Sequence, residues 1–142
     1  MKEVAVVLDL DGKPLCWHHP PGCTSASIPD SKPLWDVLWE NRDRISAIAH
    51  MHPGTGAPSP SAVDLPTFRA VETGLGRRIL WYIATLNAVV VVWWVGPGKN
   101  DYARAVVDDI PTWADELRRL SYEEELHSDE GTNAKPNEEV VP

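Results

Sequence analysis

Two histidines one residue apart, His50 and His52, are followed by a Gly- and Pro-rich stretch and then by Ser61-Ala-Val-Asp64. On a strand, side chains two positions apart share a face, so both imidazoles would stand side by side at its end. A loop that turns the chain back would let Asp64, in the first turn of a following helix, add a carboxylate oxygen. Two His and one carboxylate leave the fourth position of a tetrahedral zinc to water, which is a catalytic arrangement and not a closed structural one. Zinc lowers the pKa of such a water from about 15.7 to about 7, so hydroxide is available at neutral pH. A His-x-His pair alone is more often structural or exposed. The breaker loop and the Ser61-x-x-Asp64 spacing in register behind it make a metal site the stronger reading.

The surrounding sequence supplies elements that can hold these residues. Glu3 to Leu10 alternates in strand fashion, with Val4, Val6, Leu8 and Leu10 expected on one face. Asp11-Gly12 is a hairpin-type turn, and Pro14 to Trp17 would return beside it. After a Pro-, Ser- and Gly-rich loop, Asp30 or Ser31 can cap a helix that runs to about Arg44. Ile45 to His52 reads as the next strand. Ser61 opens a second helix through a capping box with Asp64, and Gly74 and Gly76 are expected to stop it. Arg78 to Leu86 and Ala88 to Val95 read as two strands joined tightly around Asn87, and a last helix spans about Thr112 to Leu126. The order predicts an α/β fold, a mixed sheet sandwiched by helices.

His50, His52-Pro53, a short loop and Ser61-x-x-Asp64 together resemble the motif of the JAMM (MPN, or Mov34/PAD-type) metallopeptidases. The resemblance covers about residues 3 to 96. It implies a JAMM-like, cytidine-deaminase-like domain over residues 1–126, with His50, His52 and Asp64 as zinc ligands. Ser61 matches the serine that steadies the tetrahedral oxyanion. Glu3 matches the glutamate that serves as general acid and base, on a strand that looks like the one in the RadC-type branch. The loop Pro53–Pro60 is one residue longer than the family's usual interval, which a Gly/Pro loop absorbs cheaply. The N-terminal helix that ordinarily precedes the glutamate strand has no counterpart here, and Glu3 stands where an untethered strand end frays. The activity implied is zinc-dependent hydrolysis of a peptide or isopeptide bond, often at the C-terminal tail of a ubiquitin-like or sulfur-carrier protein. Two rivals stay open: a catalytically inactive binding or scaffold module, and a RadC-like accessory protein.

Charge narrows the partners. The net charge is −8, and seven carboxylates between Glu123 and Glu139 face Lys135 alone. Such a balance disfavours nucleic acid, which calls for clustered Lys and Arg. Residues 127–142 are acidic and lack hydrophobic periodicity, so they read as a disordered tail. The longest apolar run, Ala88 to Val95, is strand length and too short for a membrane span. With no signal-peptide pattern, a cytoplasmic location is expected. Cys16 and Cys23 frame His18 and His19, but their spacing fits no common zinc pattern, and they read as the end of a hairpin. His18, His19 and His127 are taken as surface or loop residues. Trp93 and Trp94 must face opposite sides of a strand, and an exposed one would mark a groove or a contact.

Overall fold

The computed structural model describes residues 1–19 and 32–122. The expected caps Asp30 and Ser31, Cys23, His127 and the acidic tail lie outside these residues. Along the chain come β1 (Ala5–Asp9), β2 (Pro14–His18), α1 (Lys32–Glu40), β3 (Ile45–Met51), α2 (Asp64–Leu75), β4 (Leu80–Ala84), β5 (Val89–Trp94) and β6 (Tyr102–Val106). A further helix, α3, follows over residues 113–122. The six strands form one sheet in the order β2-β1-β3-β4-β5-β6. The β3–β4 pair is parallel and every other pair is antiparallel. No helix among the described residues is long and apolar enough to cross a membrane.

Both faces of the sheet are buried, which gives three layers. On one face Ala5, Val7, Ile48, Ile83, Val90 and Val92 pack against Leu38 of α1 and Phe68 and Leu75 of α2. On the other, Val4, Val6, Leu8, Ala47, Ala49 and Met51 pack against Trp113, Ala114 and Leu117 of α3. A mixed sheet between helices, the expected fold class, is therefore what forms. The strands read as near-continuous apolar runs because neither side meets water.

Several element boundaries differ from the sequence reading, each for a local reason. Leu10 is 64% exposed instead of facing the core. The chain has already turned at that point, with Gly12 at φ +78° and the Asp9 carboxylate accepting the amides of Asp11 and Lys13. Helix α1 stops at Glu40, not Arg44, and Ile45 opens β3. Asn41 turns its side-chain amide back onto the Val37 carbonyl at 2.9 Å, which ends the helix. Gly74 does not stop α2. It lies inside the helix, where an added Cβ would come within 2.5 Å of Trp35 on α1. The stop is Gly76, left-handed at φ +73°, whose N–H donates to the Glu72 and Thr73 carbonyls. Strand β6 was not expected from the sequence at all.

Candidate metal centre

The β3–α2–β4 unit builds the site. Strand β3 delivers His50 at its end and His52 one residue past it, both on the face that α2 covers. His50 lies edge-on to Phe68 of α2, ring centroids 6.2 Å apart. The two imidazoles meet edge to face, their centroids 4.9 Å apart. Asp64 is the first residue of α2, where the positive end of the helix dipole favours a carboxylate. The location, beyond the carboxyl end of a strand and at a helix N-terminus, is where open α/β sheets commonly place ligands.

Asp64 sits between the histidines. Its Oδ1 is 3.3 Å from His50 Nε2, and its Oδ2 is 2.9 Å from His52 Nε2. The expected capping box is present: the Ser61 amide donates to Asp64 Oδ2 at 2.8 Å, and the Asp64 amide donates to Ser61 Oγ at 3.1 Å. Ser61 Oγ also accepts the Val63 amide. The lone pairs of the hydroxyl are thus occupied by amides, while none of these bonds uses its proton. Regular helix starts at Asp64, so Ser61 closes the preceding turn instead of lying in the helix itself.

Charges in the site are mutually tuned. Burial pushes the Asp64 carboxyl up, but the two imidazoles facing it and the Ser61 amide outweigh burial and hold it well below the usual carboxylate range. Burial likewise opposes the charged form of His52. The hydrogen bond and charge of Asp64, with the charge of Glu3, win and raise its pKa. Glu3 is buried, two residues before Ala5, which pairs with His50 across β1 and β3. The sequence suggested a fraying end there. Instead the Lys2 amide donates to the Ser121 carbonyl of α3 at 2.7 Å, and the Met51 amide donates to the Val4 carbonyl, so the segment is tied on both sides of Glu3.

These residues fit a metal ion. Ligand atoms of His50, His52 and Asp64 all lie within 4.8 Å of one another, and among the described residues this is the group that could hold one. Two ligands about 2.0–2.1 Å from a tetrahedral zinc stand about 3.3 Å apart, close to the His–Asp separations found. His50 Nε2 is buried and has no aligned hydrogen-bond partner, although Asp64 is near. His18 Nε2 and His19 Nε2 are in the same state, but among the described residues His50 is the one of the three that also belongs to a group able to hold a cation.

His18 is not a surface residue. It ends β2, is 8% exposed and pairs with Ala5, the residue that also pairs with His50 on the other side. Burial pushes its pKa down, with the charge of His19 adding to the effect. His18 therefore lies in the same sheet row as His50, a placement only strand register reveals. Cys16 is a free thiol on the same strand, and with His18 it belongs to no second metal group among the described residues. Trp93 and Trp94 are both half-buried. The exposed tryptophan is Trp39 on α1, over which Arg42 stacks at 4.1 Å. No family model matches the chain, and no curated protein matches it either.

Proposed function

We propose that this protein is a zinc-dependent peptidase of the JAMM type, hydrolysing a peptide or isopeptide amide at the C-terminal tail of a ubiquitin-like or sulfur-carrier protein. The observation that carries this reading is the convergence of His50, His52 and Asp64, with the buried Glu3 close enough for its charge to act on His52. Two imidazoles and one carboxylate suit zinc better than the all-oxygen cations magnesium and calcium. When bound, the ion supplies a Lewis acid and a nucleophilic water at neutral pH.

The chain's own residues do the rest. Glu3 takes a proton from the attacking water at its carboxylate and returns it to the leaving amine nitrogen. Its burial keeps that carboxylate in one place between the two transfers. Ser61, whose lone pairs are held by the Val63 and Asp64 amides, turns its hydroxyl proton to the developing oxyanion. Asp64 is fixed by the Ser61 amide, so the residue that donates to the oxyanion also orients a ligand.

The exposed surroundings of the site support this substrate class. Residues 53–57 are all exposed, and this short loop has little with which to enclose a bulky side chain. A flexible tail of small residues, such as one ending in Gly-Gly, is the substrate that fits. The test is a cleavage panel with zinc-loaded protein: Gly-Gly-linked conjugates, the same tails with bulky residues before the scissile bond, and denatured casein. Selective cleavage of the Gly-Gly conjugates is expected. Efficient digestion of casein without that preference would overturn the substrate class, and no cleavage of any member by zinc-loaded protein would overturn the peptidase reading.

A further inference from the structure

The loop between His52 and Asp64 has no hydrophobic anchor in its first half, since residues 53–57 are exposed. Two of its glycines, Gly54 and Gly56, hold φ of +92° and +83°, a region that a chain does not adopt without fixed partners or glycine. Hydrogen bonds hold its shape: Arg104 of β6 donates to the Pro58 carbonyl at 2.8 Å, and the bonds that Gly54 and Gly56 make run to the β4–β5 turn. The parallel β3–β4 ladder first continues beyond both strands: the His52 amide donates to the Ala84 carbonyl at 2.8 Å, and the Leu86 amide donates to the Gly54 carbonyl at 3.2 Å.

Beyond Gly54, side chains replace the ladder. The Gly56 amide donates to Asn87 Oδ1 at 2.6 Å, and Thr85 Oγ1 donates to the Gly56 carbonyl at 2.6 Å. Both polar groups of one glycine are thus gripped from a single turn. Thr85 is 2% exposed, and its own amide closes the turn onto the Ala88 carbonyl at 2.9 Å. From the far face of the sheet, Arg118 of α3 holds that turn, donating from Nε to the Thr85 carbonyl at 2.8 Å. Thr85 anchors one arm of this grip in the core, while Asn87, the other arm, is exposed.

We infer that Asn87 and Thr85 are positioning residues for the metal: by clamping Gly56 they set the path of the loop that brings Asp64 to His50 and His52. This inference rests on the zinc reading above and deepens it. Neither side chain belongs to the ligand set. Each acts by removing alternative loop conformations in which Asp64 is away from the imidazoles, so each raises metal affinity without touching the ion. Outer residues that orient ligands typically contribute about 10–100-fold in affinity, and for a clamp one step further out the lower figure is expected.

The experiment compares Asn87→Ala, Thr85→Val and Thr85→Ser with the unaltered protein. Zinc affinity is measured by competition with a chromophoric chelator, and the melting temperature of the metal-free form is measured alongside. Asn87→Ala and Thr85→Val should each weaken zinc about tenfold while the metal-free melting temperature stays close to that of the unaltered protein. Thr85→Ser, which keeps the hydroxyl donor, should restore affinity. Unchanged zinc affinity in both Asn87→Ala and Thr85→Val overturns the proposal, as does a loss in Thr85→Val that Thr85→Ser does not rescue. Should the unaltered protein take up no zinc, the functional reading fails, and the clamp is then judged in the metal-free chain by amide exchange across residues 53–62. Faster exchange in Asn87→Ala supports it and identical exchange overturns it.

Discussion

Asp64 is asked to do three things with two oxygens: face His50, bond His52 and accept the Ser61 amide. Removing it therefore differs from removing Glu3, and the two substitutions separate ligand from proton carrier. His52→Ala and Asp64→Ala should each abolish stoichiometric zinc, and metal analysis of the purified variants that finds a full complement in both would sink the ligand assignment. Glu3→Gln should keep the zinc and lose about 10²–10⁴-fold in turnover, the usual contribution of a general acid–base group. A near-normal rate beside a normal zinc content would move the proton transfer to another residue. Acid should act through the same site. Zinc must displace the proton that Asp64 and Glu3 help His52 retain, so affinity falls as the pH drops below the raised pKa of His52. The loss should approach about tenfold per pH unit for each proton displaced. A chelator competition series from about pH 5.5 to about pH 8 checks this, and a flat profile would mean that His52 is not a ligand.

At the scale of elements, the site motif was legible because its determinants are local. His-x-His on a strand and Ser-x-x-Asp at a helix start each fix side-chain direction within four residues, and both formed as the spacing implies. What escaped depends on partners far along the chain. Strand β6 covers Tyr102–Val106 as an edge strand whose last three residues are exposed, so it carries no apolar alternation to read. His18 reads as a loop residue until register sets it beside Ala5, and the Asn87–Gly56 contact joins a turn to a loop 31 residues earlier. Gly74 shows the same limit. Glycine inside a sequence pattern reads as a helix stop, yet here it admits the Trp35 ring between α1 and α2. Two effects compete in Gly74→Ala. Helix propensity favours alanine by about 1 kcal/mol. The added methyl, however, would meet an aromatic ring at 2.5 Å in a packed layer, and overpacking of that kind costs about 1–3 kcal/mol. The steric term should win, giving a lower urea midpoint with an unchanged slope. A stabilised variant would show that Trp35 has room to move aside.

Across the whole molecule, His50 and Asp64 lie on the α2 side of the sheet, while contacts that hold their surroundings come from α3 on the other side. Helix α3 supplies the Ser121 carbonyl that receives the Lys2 amide beside Glu3, and the Arg118 that holds the turn bonded to the loop before Asp64. The segment bearing Glu3 and the loop leading to Asp64 thus share a brace that the motif alone does not disclose. Leu117, fully buried against β1 and β3, is the apolar contact that seats this helix. Leu117→Ala should cost about 2–5 kcal/mol in urea unfolding. Because α3 braces both halves of the site, zinc affinity in this variant should also fall under conditions where the protein is still fully folded. The contrast is a chain ended after Leu126, which removes the acidic segment and keeps every described contact of α3. That truncation should leave both melting temperature and zinc content unchanged, because the segment removed has too few apolar residues to contribute to a core. If it melts much lower, part of the acidic segment packs on the domain. If Leu117→Ala loses stability while its folded form binds zinc as tightly as before, α3 supports the core alone and the brace plays no part in the site.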